Sequence, residues 1–145
     1  MTERLRITVK APRSCIAAEI QAFEKLVVAG GEVDSYGLRA RVDQAKALVF
    51  VHSSGQLVGS RALNLPHADY RKCLFQKSRT HLPARFPLEL GWIYVVPAQR
   101  GTGASRRIVE AFLKRVDRPA RPTHGVCIMC SFPQYAYLSF RSVAC

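Results

Sequence analysis

Single alternation of polar and apolar residues in "RLRITV" has the period of a half-buried strand, and past Pro12 the spacing becomes helical. In "SCIAAEIQAFEKLVVA", Ile16, Ile20, Phe23, Leu26 and Val27 fall on one helical face, with Ser14 placed to cap the start and Gly30-Gly31 to stop the end. "ALVFVHSSGQLVGSRAL" reads as two strands joined at Ser53-Ser54-Gly55, a hairpin signal. From Asn64 to Pro87 the periodicity is lost, and Pro66, Pro83 and Pro87 among mixed charges predict an irregular excursion. "LELGWIYVV" then has the continuous apolar character of a buried strand, and Pro97 stops it. "GASRRIVEAFLKRV" sets Ala104, Ile108, Phe112, Val109, Leu113 and Val116 on one face and Arg106, Arg107, Glu110, Lys114 and Arg115 on the other, which predicts an amphipathic helix. "GVCIMCSF" is a further short strand, after which "SFPQYAYLSFRSVAC" leaves room for one short helix and no strand pair.

This order makes the chain mixed α/β. With 145 residues, 48% of them hydrophobic and 22% charged, it has the size and composition of one globular domain, residues 1–145. No internal repeat or linker divides it. No apolar run reaches the ~18 residues that cross a bilayer, and "MTERLRITVK" lacks the apolar stretch of a signal peptide, so a cytoplasmic location and no membrane contact are expected. The five cysteines are odd in number and follow no framework spacing, which fits reduced thiols.

A net charge of +12 adds something the pattern does not show, a preference for an anionic partner. Between Asp69 and Glu89 stand Arg71, Lys72, Lys77, Arg79 and Arg85 with no acid among them. The segment reads either as a solvated basic loop or as a nucleic-acid surface. The lack of interleaved aromatic residues and of a reader motif favours the loop. Cys127 and Cys130 have metal-ligand spacing, but no second pair accompanies them, and His52, His67, His81 and His124 are scattered, so no metal is expected.

The chemistry concentrates in "VVPAQRGTGASRR", residues 95–107. A strand ends at a proline, and two glycines separated by one residue lead into a helix. Free N–H groups and the positive end of the macrodipole make such a helix start able to hold a phosphate, and Arg100, Arg106 and Arg107 add full charges. The same residues also fit a plain turn between strand and helix. A P-loop would need a Gly-Lys-Ser/Thr ending, and the dinucleotide fingerprint would need glycine at Arg106, so both are excluded.

Arg100-Gly101-Thr102-Gly103-Ala104-Ser105 after Ile93-Tyr94-Val95-Val96-Pro97 resembles the acyl-coenzyme A loop and preceding strand of the GNAT superfamily of N-acetyltransferases. The likeness covers "LELGWIYVVPAQRGTGASRRIVEAFL" and, more loosely, residues 14–130. Ser105 departs from the family's Gly/Ala at the last motif position. The resemblance implies a GNAT-like, mostly antiparallel sheet flanked by helices, here without the usual C-terminal strand pair. It implies acetyl-CoA as co-substrate, with the pantetheine arm along Ile93, Tyr94 and Val95 and the pyrophosphate on Arg100, Gly101, Thr102, Gly103, Ala104 and Ser105. The reaction implied is direct attack of a primary amine, from a small molecule or a protein, on the acetyl group. Glu89 is the candidate general base, or else a carboxylate paired with a basic neighbour. Tyr135 and Tyr137 are candidates for the acid that protonates the departing thiolate, or else apolar filling.

Three other readings stay beside this one. The chain is a catalytically degenerate domain that binds acyl-CoA or an anionic partner, a relative of the acyl-homoserine lactone synthases, or a nucleic-acid binder. The glycine loop argues against the lactone synthases. A sheet ending at "GVCIMCSF" would expose an edge, which suggests a homodimer.

Overall fold

A computed structural model of the chain describes residues 4–31, 33–77, 88–116, 126–129 and 138–141. Its elements are β1 (Arg6–Lys10), α1 (Ala17–Ala29), α2 (Leu38–Gln44), β2 (Ala47–Ser53), β3 (Gln56–Asn64), α3 (Ala68–Lys77), β4 (Leu88–Val95), α4 (Ala104–Val116), β5 (Val126–Met129) and β6 (Leu138–Arg141). The strands form one sheet in the order β1-β2-β3-β4-β5-β6, the order of the chain. All neighbours are antiparallel except β4 and β5, which run parallel with α4 between them in sequence. The mixed, mostly antiparallel sheet with flanking helices is the expected fold class.

β2 and β3 form a hairpin in the interior of the sheet. Its two loop residues, Ser54 and Gly55, have φ of 46° and 81°, and Ser53 faces Gln56 across the turn. Positive φ at both positions is what a type I′ turn requires, and that turn follows the natural twist of the strands. β2 is apolar at nearly every position because it is buried on both sides. Leu48 and Phe50 meet α1 and α2 through Ile20, Phe23, Val27, Leu38 and Val42, while Val49 and Val51 join Leu90, Ala104 and Ile108 on the face covered by α4. Phe23 anchors the first of these cores, its ring set edge-on to Phe50 at 5.5 Å between centroids.

Several details depart from the expectations. Ser14 lies in a short 3-10 turn (Pro12–Ser14), and α1 starts later, at Ala17, with Ile16 as its cap residue. Ile16 is therefore exposed and not part of the buried face. Glu19 compensates for a cap residue with no side-chain oxygen by accepting the Ile16 N–H at 3.1 Å. Two helices were not anticipated, α2 and, inside the expected irregular excursion, α3. In the tail, where the sequence leaves room for one short helix and no strand pair, residues 138–141 form a strand, β6, which pairs along β5. That pairing covers the edge on which a second copy was expected to dock. Among the described residues no second strand follows β6, and no helix is long and apolar enough to cross a membrane.

Candidate active site

β4 is distorted in its middle. Ser60 pairs with Tyr94 and Ala62 with Gly91, so Arg61 of β3 lies opposite both Trp92 and Ile93. This is a β-bulge, and its extra residue forces Trp92 to φ 51°, a region that bulky residues rarely adopt. Neighbouring groups hold the bulge in place. The Ser60 hydroxyl donates to the Trp92 carbonyl at 3.4 Å, and the indole packs near Phe23 with the Arg41 guanidinium 5.9 Å from its centroid. On its other side, β4 pairs with β5 only from Leu88↔Val126 to Leu90↔Ile128. Among the described residues, then, β3 is the one strand that pairs with the backbone from Gly91 to Val95. Ile93, Tyr94 and Val95 lie in that open stretch.

The chain then passes through a 3-10 turn (Pro97–Gln99) into the glycine loop. Gly101 and Gly103 both have φ of 78°, with open space where a Cβ would stand. The loop is held from below. Arg100 folds back so that its Nε donates to the Val95 carbonyl at 3.0 Å, its guanidinium 5.7 Å from the centre of the Tyr94 ring, and the Thr102 hydroxyl donates to the Gln99 carbonyl at 2.7 Å. The backbone bond that closes the first turn of α4 runs from the Arg107 N–H to the Gly103 carbonyl. Among the described residues, the N–H groups from Gly101 to Arg106 meet no backbone acceptor outside the helix. Ala104 is buried and fixes the helix against the sheet, whereas Ser105 is exposed at its start. Arg106 pairs with Glu110 at 2.9 Å.

On the α1–α2 side of the bulge lies a cleft of about 450 Å³. Asp34, Arg41, Asn64, His67, Tyr70, Glu89 and Trp92 are among the residues that line it. Glu89 is 8% exposed, and burial raises its carboxyl pKa above the usual value. Among the described residues no cation pairs with it. Its carboxyl lies over Gly91, where a Cβ would come within 2.9 Å of Oε1 and 3.3 Å of Asn64 Nδ2. Asn64 is the direct cross-strand partner of Glu89, and its side-chain oxygen is buried without a hydrogen-bond partner.

One strand, β4, thus carries Glu89 at the cleft and continues through the bulge at Trp92 and Ile93, then Tyr94 and Val95, to the loop at 100–105. Tyr135 and Tyr137 lie outside the described residues. Sequence reasoning missed Asp34, Arg41, Asn64, Tyr70 and Trp92. Asn64 reads from sequence as the start of the irregular excursion, whereas it is the last residue of β3. Among the described residues no group of three histidine, cysteine, aspartate or glutamate side chains could hold a metal, and Cys15 and Cys73 are free thiols.

No protein-family model matches the chain, and no curated protein matches it in sequence. Solved structures do match in fold. An acyl-CoA N-acyltransferase from Pseudomonas aeruginosa superposes with a TM-score of 0.61 at 18% identity, over 86% of this chain and 78% of that one. A GNAT family N-acetyltransferase from Escherichia coli, crystallised in complex with CoA, gives 0.59 at 14% identity, over 89% of this chain and 64% of that one. A ribosomal-protein-alanine N-acetyltransferase from Brucella melitensis gives 0.57 at 15% identity, over 90% and 84%. With the bulged β4, its parting from β5 and the glycine loop that follows, these superpositions show that the chain has the fold of the GNAT superfamily of N-acetyltransferases.

Proposed function

We propose that the chain is an N-acetyltransferase that moves the acetyl group of acetyl-CoA to a primary amine by direct attack. The observation that carries this reading is the buried Glu89 carboxyl, paired with no cation among the described residues, which lines a cleft and lies on the strand that leads into the glycine loop. The residues fit the co-substrate. Gly101 and Gly103 leave the loop open for close approach of a pyrophosphate to the backbone N–H groups, and the stretch of β4 beyond Leu90 is free to pair with the amide groups of a pantetheine arm.

Acetyl-CoA supplies a thioester carbonyl, which an uncharged amine attacks with loss of the thiolate. An alkyl ammonium has a pKa near 10.4 in water, so a proton must be removed before the nitrogen can attack. Glu89 has the position for that task, and its raised pKa makes it a stronger base than an exposed carboxylate. The proton from nitrogen goes to Glu89. The backbone N–H groups of β4 in the open stretch are the donors for the charge that develops on the carbonyl oxygen. The departing sulfur takes its proton from Tyr135 or Tyr137. A cytoplasmic location suits the free thiols and the co-substrate.

The test is a calorimetric titration with acetyl-CoA, desulfo-CoA and a nucleotide lacking the pantetheine arm, run with Glu89→Gln beside the native protein. Arm-dependent binding by both proteins, with turnover lost only in Glu89→Gln, is the expected result. Binding without turnover in either protein would make the chain an acyl-CoA-binding domain, and no binding by a folded protein would overturn the reading.

A further inference from the structure

The Arg100 side chain bonds to the protein itself. Its Nε donates to the Val95 carbonyl at 3.0 Å, and its guanidinium stands 5.7 Å from the centre of the Tyr94 ring. The bond ties the residue that opens the glycine loop to the last residue of β4, five positions back. A donor held in this way acts through where it stands, whereas a cation acts on an anion from any nearby position.

The Tyr94 ring has a second neighbour on another element. Gly30 caps the end of α1, and a Cβ there would come within 2.9 Å of Tyr94 Cδ2 and 3.3 Å of Cγ. Those atoms are at the root of an aromatic ring, which has less room to swing aside than the tip of a flexible chain. Gly30 has a φ of −67°, an ordinary helical value, so the approach of the ring and not the backbone conformation is what glycine serves at this position. Beyond Gly30 the chain runs on to Val33 and Asp34, which line the cleft. A single series of contacts thus runs from the end of α1 to Tyr94, and from Tyr94 to the side chain that ties down the loop.

We propose that the Arg100 side chain is a positioning group rather than a phosphate ligand, and that the Tyr94 ring couples the end of α1 to the glycine loop through it. This rests on reading the loop as the pyrophosphate site of acetyl-CoA. The backbone N–H groups of the loop bind the anion, and Arg100 and Tyr94 fix where those groups stand. Arg100 acts through its Nε–H more than through its charge. The space left by Gly30 belongs to the cofactor site although the residue lies on another element.

The test separates donor from charge at one position. Arg100→Gln puts an amide N–H where Nε stands along the side chain and removes the charge, whereas Arg100→Lys keeps the charge and puts a methylene there. Calorimetry should show acetyl-CoA bound at least about tenfold more tightly by Arg100→Gln than by Arg100→Lys, the factor for one net hydrogen bond. A direct phosphate contact predicts the reverse order, and lysine binding as well as or better than glutamine would overturn the assignment. Gly30→Ala should raise the acetyl-CoA Kd by about three- to tenfold and add nothing in the Tyr94→Leu protein, where the ring it presses on is gone. Unchanged affinity in a folded Gly30→Ala protein, or an equal loss with and without the ring, rules out the coupling.

Hydrogen exchange in the protein without ligand reads the same positioning independently. The Arg100 and Arg107 amides donate to the Pro97 and Gly103 carbonyls, and both should exchange faster in Arg100→Lys and Gly30→Ala than in the native or Arg100→Gln protein. That pattern without acetyl-CoA binding upholds the positioning role and overturns the cofactor reading. Native acetyl-CoA binding, with neither affinity nor exchange responding to these substitutions, overturns the positioning role and leaves the cofactor reading standing.

Discussion

Gly91 leaves open the space that the Glu89 carboxyl occupies. A Cβ at position 91 would stand 2.9 Å from Glu89 Oε1, closer than two such atoms can pack. The atom in the way is the end of a flexible side chain, so Gly91→Ala should fold with little loss of stability and displace the carboxyl instead. A misplacement of about 1 Å at a reacting group costs up to a hundredfold in rate, and a fall in kcat of about ten- to a hundredfold is expected, with acetyl-CoA affinity retained. Full activity in Gly91→Ala would separate Glu89 from the chemistry.

Glu89 also predicts how stability depends on pH. Burial raises its folded-state pKa above the unfolded value, so the unfolded chain loses this proton at lower pH than the folded one. The contribution from Glu89 is fully present below the unfolded pKa and is lost as pH rises through the raised folded value. Urea unfolding of Glu89→Gln should lack that loss and gain on the native protein from mildly acid to neutral pH. With Glu89 as the base of the proposed reaction, the acid limb of kcat/KM should lie above the ordinary carboxylate range.

The loop prediction concerns Gly103, whose φ of 78° and exposed surroundings set two separate penalties on a side chain. Gly103→Val puts a β-branched residue where left-handed backbone costs roughly 1–2 kcal/mol, and it covers the N–H groups that begin α4. Acetyl-CoA affinity should fall by at least about tenfold, measured by calorimetry, while near-ultraviolet circular dichroism stays native. A valine protein that binds acetyl-CoA as the native one does would move the pyrophosphate away from this loop.

Phe23 is fully buried and touches both Phe50 of the hairpin and Trp92 of the bulge. Phe23→Ala should cost about 3–5 kcal/mol of unfolding free energy, the range for removing a buried aromatic ring. Because the ring also supports the indole at the bulge, surviving folded protein should show a changed tryptophan emission. Trp92 is the chain's single tryptophan, which makes that signal unambiguous.

Much of this architecture is visible in the sequence, for physical reasons that differ from element to element. The hairpin announces itself because Ser54-Gly55 is a turn pair between two apolar runs, and α4 because Ala104 and Ile108 recur at helical spacing beside exposed Arg106, Arg107 and Glu110. α2 was missed because "LRARVDQ" has only one buried pair, Leu38 and Val42, too few to establish a period. α3 hid among prolines and charges, and its helix is polar enough that no apolar stripe marks it. Glu89 was legible through the strand and loop that follow it. The cleft around it was not, because Asp34, Arg41, Asn64 and Tyr70 come from four separate segments that only the tertiary fold brings together.

The strand order of the sheet, which repeats the order of the chain, also sets a sequence of events in folding. The β2–β3 hairpin closes over two residues, whereas β1 must return across α1 and α2 and β4 across the segment that holds α3. Closure entropy grows with the length of chain enclosed, so the hairpin is the pairing with the lowest entry cost and the outer strands add to an edge already formed. Substitutions at Val51 and Val58 should therefore slow refolding more than those at Leu90 and Val95, which should act mainly on unfolding. On this order the strand that bears Glu89, the bulge and the approach to the glycine loop joins after the hairpin, so substitutions there that alter chemistry should leave the first step of folding largely untouched.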